Sequence, residues 1–488
     1  MPPPNDVLND ELLVRENGFN NRSGLPLFLV EKTKDTLLRL LVQSKKDSGN
    51  IVASAFQEHN YIWVDLLRDA ITYLKKIDKR EYASKPKNWK RDKIAFGVNE
   101  LYKYFIEYQE FEGFLYGADQ FYRDHVAHVF RVWLIGCFLL NKIDYKVHWD
   151  YEELLNINRG LEIKKPEIEA MWCIIALTHD LGYPLDKNDK ILSKINEMMR
   201  HFGSPSQFSQ YQIPTHHFFI NDFILEFISS KLIYARDNRS PRGLGANKRI
   251  QINYNYITAR QSKYYLKFSK SLENLNHGII SCILLMKNLV YFLESDLDSK
   301  KPFSETEDAR QFYIRREILR AIASHTCTDI YHIFHTSLPF LLIIADELQI
   351  WKRPNFQELK GGGKDLNIEP LLPLYRDDLI KIKFRVKRNT EYAFTIKNEN
   401  KEQGEEEEPE LFKQTEKLFK SICKKWVKWL RGALDASRRD FKFSFQMTAI
   451  EDSTEKKIFE FNHINKTNHI DIKVNGKEEP VETFLFKD

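Results

Sequence analysis

The chain has no apolar run approaching the roughly 18 residues of a membrane span, so a spanning helix is not expected. Its start, "MPPPNDVLND", lacks the basic and apolar regions of a secretory leader. Cysteines are few: Cys137, Cys173, Cys282, Cys327 and Cys423 are odd in number, scattered, without CxxC spacing and mostly within apolar helical runs. That pattern excludes a disulfide framework and predicts reduced core thiols in a cytoplasmic protein. No serine or cysteine stands in a nucleophile motif, and "PRGLGANK" lacks the GxxxxGK[ST] spacing of a phosphate-cradling loop. Nor is there a large excess of one charge. The 74 basic and 69 acidic residues leave +5, which suits an anionic substrate without marking a dedicated nucleic-acid binder.

What is present is mostly helical. The 488 residues are 42% apolar, enough for a substantial core. Helical spacing runs from about Glu31 to Tyr116, as in "YIWVDLLRDAITYLKKI", where Ile62, Leu66, Leu67 and Ile71 recur on one face. Five strongly apolar helices follow, in "DHVAHVFRVWLIGCFLL", "PEIEAMWCIIALTHDLG", "SLENLNHGIISCILLMKNLVYFLES", "SETEDARQFYIRREILRAIASHT" and "SLPFLLIIADELQIW". Pro166 near a first turn, the Ser304 to Glu307 capping pattern and Pro354 beyond the last helix punctuate them. Between about 234 and 270 a stretch rich in Arg, Lys, Tyr, Gly and Asn reads as an irregular basic loop. After "GGGKD" the texture changes. "LIKIKFRVKR" and "YAFTIKNE" alternate as two strands of a hairpin, "NENKEQGEEEEPE" is a solvated acidic linker, and an amphipathic helix with Trp426 and Trp429 at helical spacing precedes further strands. The expected fold is mainly α: an N-terminal helical region (1–118), a helical bundle (119–358) carrying the basic loop, and a smaller α+β domain (365–488), through which copies of the chain could associate.

The chemistry lies in "AMWCIIALTHDLGYPL". A helix apolar all round belongs in a core, and Gly182 and Pro184 stop it, so His179 and Asp180 fall at its buried end. A buried carboxylate needs a cationic partner, basic side chain or metal. One His-Asp pair carries little weight. But His125 and His128, His277, His325 and Asp346 sit equally deep in four other apolar helices. Asp124, His128 and Arg131 recur at i, i+4 and i+7, with His125 beside them, so that helix shows a polar stripe. A single such histidine is more often a hydrogen-bonded core residue. Several converging imidazoles and carboxylates are satisfied most economically by divalent metal.

The order His125, then His179-Asp180, His277, His325 and Asp346 resembles the HD-domain superfamily of metal-dependent phosphohydrolases, over roughly His125 to Arg353, and its texture is similar to the bacterial members linked with biological conflict. The resemblance implies an HD-type helical bundle in which His125, His179 and Asp346 hold one metal, His277 and His325 a second, and Asp180 bridges both, so that a hydroxide between the ions attacks phosphorus in line. Mixed nitrogen and oxygen ligands favour Mn, Fe, Co, Ni or Zn over Mg. One departure stands out: relatives often place Lys or His directly after the glycine that follows the pair, where this chain has Tyr183. Lys187 is the substitute expected to assist the phosphate, ahead of Arg260 and Lys263, while His128 and Asp124 are expected to stand behind the ligands. His332 with His335, and His216 with His217, compete for ligand roles. The implied substrate is a nucleotide, cyclic nucleotide or other phosphate ester, with nucleic acid ranked behind it. A nucleotide-sensing module that does not turn its ligand over, and a metal-dependent nuclease of antiviral defence, are the alternatives.

Overall fold

A computed structural model describes residues 6–43, 61–76, 97–118, 124–143, 161–187, 191–197, 218–236, 254–293, 303–353, 366–388, 410–433 and 441–486, apart from short gaps within these spans. Helices α1 (Asp10–Glu16), α2 (Glu31–Gln43), α3 (Tyr61–Lys76), α4 (Val98–Ala118), α5 (Val126–Leu140), α6 (Lys165–Thr178), α7 (Tyr183–Asp186) and α8 (Phe218–Ser229) lead into strands β1 (Ser230–Arg236) and β2 (Tyr254–Arg260). Helices α9 (Ser262–Glu273), α10 (His277–Asn288), α11 (Val290–Leu293), α12 (Thr306–Ser324) and α13 (Leu338–Leu348) complete the helical part. The remainder comprises β3 (Leu366–Pro370), β4 (Leu374–Tyr375), β5 (Leu379–Arg388), α14 (Glu410–Ala433), β6 (Lys442–Glu451), β7 (Thr454–Ile464), β8 (His469–Val474), β9 (Lys477–Glu479) and α15 (Val481–Phe486). The protein is thus mainly α with a smaller α+β part.

The centre of the bundle is built by the segments whose apolar residues circle the whole helix. Every residue of α5 is buried, and α6 buries Ala170 through Thr178 without interruption. Such helices have no face to offer water and become the middle layer, against which α3, α12 and α13 pack. The tryptophans place their polar edges on backbone oxygens: Trp172 Nε1 donates to the Trp133 carbonyl and Trp63 Nε1 to the Leu177 carbonyl, each at 3.0 Å. At the start of α6, Pro166 occupies the first turn, and the Glu167 carboxylate accepts from the Lys164 backbone N–H at 2.8 Å.

Strands β3, β5, β6, β7, β8 and β9 form one sheet in that order, with β4 on β5. All pairs are antiparallel except β5 with β6, and α14 occupies the chain between those two parallel strands. Alternation along β5 buries Ile380, Ile382, Phe384 and Val386 and leaves its lysines and its two arginines, Arg385 and Arg388, half-buried or exposed. Trp426 and Trp429 are buried, as a docking face requires, with Trp426 4.7 Å from the Phe443 ring. Among the described residues one large apolar core runs through the helices and this sheet, with a small separate cluster around Tyr108 and Leu115.

Several details differ from the sequence reading. Only 237–253 of the basic stretch lies outside the described residues; its flanks are regular, because Ser230–Arg236 pairs residue for residue with Tyr254–Arg260 and α9 follows. Among the described residues β5 pairs with β3, β4 and β6, and "YAFTIKNE", its expected hairpin partner, lies outside them. The N-terminal segment is not confined to the helical side. Val7 bridges Leu371, Leu8 N–H donates to the Pro370 carbonyl at 2.8 Å, and Arg385 pairs with Asp6 at 3.0 Å, so the first described residues tie the sheet's edge to the helices. Among the described residues no helix is long and apolar enough to cross a membrane. All five cysteines are buried and unpaired with one another.

Candidate metal centre

The end of α6 lies where the sequence pattern puts it: His179 takes the C-cap position and Asp180 follows, both buried. The glycine after them is needed for space rather than for backbone freedom. A Cβ on Gly182 would come 2.4 Å from the His277 carbonyl oxygen and 2.7 Å from Ile280 Cβ. That close approach lets Ser281 join the two segments, its Oγ accepting from the Gly182 N–H at 2.8 Å and donating to the His179 carbonyl at 2.7 Å. A second close approach, at Gly278, sets α10 against α12: a Cβ there would meet the Ile322 carbonyl at 2.6 Å. So His277 and His325, 48 positions apart, come to face each other with Nε2 atoms 3.1 Å apart.

Asp180 is the hub. Its Oδ1 faces His277 Nε2 at 3.3 Å and His325 Nε2 at 3.7 Å, while Oδ2 faces His179 Nε2 at 3.5 Å, His128 Nε2 at 3.7 Å and His125 Nε2 at 4.0 Å. The donor atoms fall into two groups sharing this carboxylate, one with His128 and His179, the other with His277 and His325. Asp346 joins the first side, its Oδ1 2.9 Å from His128 Nε2.

The opposite ring nitrogens decide what these contacts are. His179 Nδ1 donates to the Ala176 carbonyl at 2.9 Å and His325 Nδ1 to the Ile322 carbonyl at 2.6 Å. His277 Nδ1 donates to Asp186 at 3.0 Å, and His128 Nδ1 to Gln349 Oε1 at 2.6 Å, the amide being oriented by its own N–H to the Trp351 carbonyl. In a neutral imidazole with Nδ1 protonated, Nε2 carries a bare lone pair. Four such lone pairs therefore converge on carboxylate oxygens, and two of them on each other; only cations make that arrangement favourable. A proton can serve on one side. Although burial works against it, the Asp180 and Asp186 carboxylates lift His277 to about 9. On the other side burial, reinforced by the nearby Arg353, pushes His128 below its ordinary value, and burial also holds His179 low despite Asp180. His179 Nε2 is buried and has no hydrogen-bond partner among the described residues. Burial would raise Asp180, but the surrounding imidazoles hold it well below the usual carboxylate range. Asp346 is likewise held down, against burial, by His128. An ionised carboxylate shared by two sets of imidazoles, each oriented by an acceptor behind it, is a donor set that could hold a metal ion.

Asp180, His128 and His179 form the floor, 6%, 0% and 0% exposed at their side chains, whereas Asp346 at 30% and His277 at 19% open to solvent. The cluster can therefore be reached from outside.

The resemblance implies His125 as the ligand with His128 behind it; in the structure the Nε2 atoms of His125 and His128 lie 4.0 and 3.7 Å from Asp180 Oδ2. Because α5 starts at Val126, His125 caps it instead of lying on its face, with its ring 3.8 Å from that of Tyr183. His128, one turn in, belongs to the donor group. Asp124, one residue before the cap, accepts from Ala127 N–H in the first turn at 3.0 Å. Arg131, on the same stripe, turns instead to buried Asp10 at 3.2 Å. Lys187 sits at the rim, 3.8 Å from Asp186 and over the Tyr183 ring at 4.6 Å. Arg260 pairs with Glu226. His335 stacks on Phe441, 4.3 Å between centroids, and takes no part in the donor groups; His332, His216 and His217 lie outside the described residues. Sequence reasoning missed Asp186, Ser281, Gln349 and Arg353. Asp186 and Gln349 each follow a ligand by a few positions, a weak signal that polar residues near a ligand can support it.

Comparisons with protein-family models, curated proteins and solved structures give no match for this chain.

Proposed function

We propose that the chain is an HD-type metal-dependent phosphohydrolase or phosphodiesterase acting on a nucleotide or related phosphate ester. One observation carries this: five imidazole Nε2 atoms face the two oxygens of Asp180, and in four of them, those of His128, His179, His277 and His325, Nδ1 is bound to an acceptor behind it. Divalent ions, when bound, would acidify water and neutralise phosphoryl oxygens, so no side-chain nucleophile is required. The residues' part is positional. Asp180 would present one oxygen to each side, His128, His179 and Asp346 would hold one ion, and His277 and His325 the other. Gln349, Asp186 and the two helix carbonyls keep the imidazoles in the binding tautomer.

The test is elemental analysis of the purified protein, then hydrolysis of bis(p-nitrophenyl) phosphate and a nucleotide panel. About two divalent ions per chain, with turnover lost in Asp180→Ala, is the expected result; a metal-free protein that gains nothing from Mn, Fe, Co, Ni or Zn would sink the proposal. Tyr183 favours a second reading, a module that senses a nucleotide without hydrolysing it, since its ring rather than a basic group lies on His125. Tight binding without turnover across those metals would select it.

A further inference from the structure

The Arg353 guanidinium lies beside the His125 and His128 end of the cluster. Its Nε donates to the Asp124 carbonyl at 2.8 Å, anchoring the group at the start of α5, one residue before His125. Among the described residues its side chain makes no other hydrogen bond, so the two terminal nitrogens of the fork keep their donors. It is half-buried, close enough that its charge acts on both imidazoles. Glu347, which also feels this charge, is already ion-paired with Lys425 of α14.

A fixed cation beside imidazoles that bind metal is unfavourable on its own. Two divalent ions would already outweigh the carboxylates Asp180 and Asp346, and Arg353 adds to the excess. An anion held between the guanidinium and the centre removes the conflict. Phosphoryl oxygens suit it best, because a planar fork meets two of them at once. Two further cations near the centre among the described residues are committed: Lys187 lies between Asp186 and the Tyr183 ring, and Lys425 is paired with Glu347. The position after Gly182 supplies no charge at all.

We infer that Arg353 is the residue that grips the substrate's phosphoryl group, binding its non-bridging oxygens from the His128 side of the centre. This rests on the phosphohydrolase reading and adds the anchor that Tyr183 cannot provide.

The test titrates inorganic phosphate into metal-loaded wild-type protein, Arg353→Gln and Arg353→Lys by calorimetry, with metal content read on the same samples. Arg353→Gln keeps a donor for the Asp124 carbonyl but removes the charge. Its phosphate affinity is expected to fall about ten- to a hundredfold, the loss of a charge-assisted bidentate contact, with metal content unchanged or higher. Arg353→Lys should recover part of the affinity as a point charge without the fork. Metal retained with phosphate affinity unchanged in Arg353→Gln overturns this inference alone, as does metal-loaded wild type that binds no phosphate. A parallel loss of metal in Arg353→Gln would make the residue structural and also overturn it. Wild-type protein that takes up no metal overturns the metal centre and this inference with it.

Discussion

On the proposed reading, protons and metal ions would compete for His277, and this would give the centre a pH dependence of opposite sign in its two states. In the metal-free protein the Asp180 and Asp186 carboxylates lift His277 from 6.5 to about 9. A folded-state value above the unfolded one contributes stability that is complete below pH 6.5 and is lost as pH rises through 9. A shift of that size is worth about 3 kcal/mol for this largely buried group. Metal binding must displace that proton, so apparent affinity should rise about tenfold per pH unit between 6.5 and 9 and level off above. Over the whole window the gain is on the order of a hundredfold or more. The assay is competition with a chelator for Zn at a series of pH values, alongside thermal melts with and without metal. The metal-free Tm should decline across the window while the increment added by metal grows. Asp186→Asn, which removes one of the two carboxylates holding the proton, should move the end of both transitions to lower pH. A flat metal affinity between pH 6.5 and 9 would show that no proton leaves on binding, and the assignment of His277 as a ligand would fail.

Other perturbations follow from single contacts. Gly182→Ala puts a methyl group 2.4 Å from the His277 carbonyl, so the turn after Asp180 must move; a stability loss of about 1–3 kcal/mol in melts and sub-stoichiometric metal are expected, and full metal occupancy would contradict the packing. Gln349→Leu removes the acceptor that fixes the His128 tautomer, and metal affinity should drop about 10- to 100-fold while helix content by circular dichroism is unchanged. Asp10→Ala leaves Arg131 buried without its carboxylate and removes the acceptor of Trp351 Nε1. Chemical denaturation should show a loss of about 3–5 kcal/mol, with little effect on metal content because the pair lies behind the donor groups.

Much of the candidate site is legible along the chain because burial and polarity conflict there. An imidazole or carboxylate inside an all-apolar helix is a local anomaly, visible in "CIIALTHDLG" and "LLIIADELQ" without any coordinates, and such anomalies are tolerated only when something pairs with them. The helices themselves, the mainly α class, the sheet texture after residue 365 and the docking role of Trp426 and Trp429 follow from periodicity, which each segment carries within itself. Partnership is different, since it depends on which segments pack together. Only the tertiary structure brings His277 against His325 through the close approaches at Gly182 and Gly278, groups His128 with His179 and Asp180, and sets Arg353 beside them by a bond to a backbone carbonyl more than two hundred positions away. It also decides that Val7 and Leu8 belong to the edge of a sheet whose strands lie at the other end of the chain. Local chemistry sets which residues need a partner, and packing sets which partner they meet.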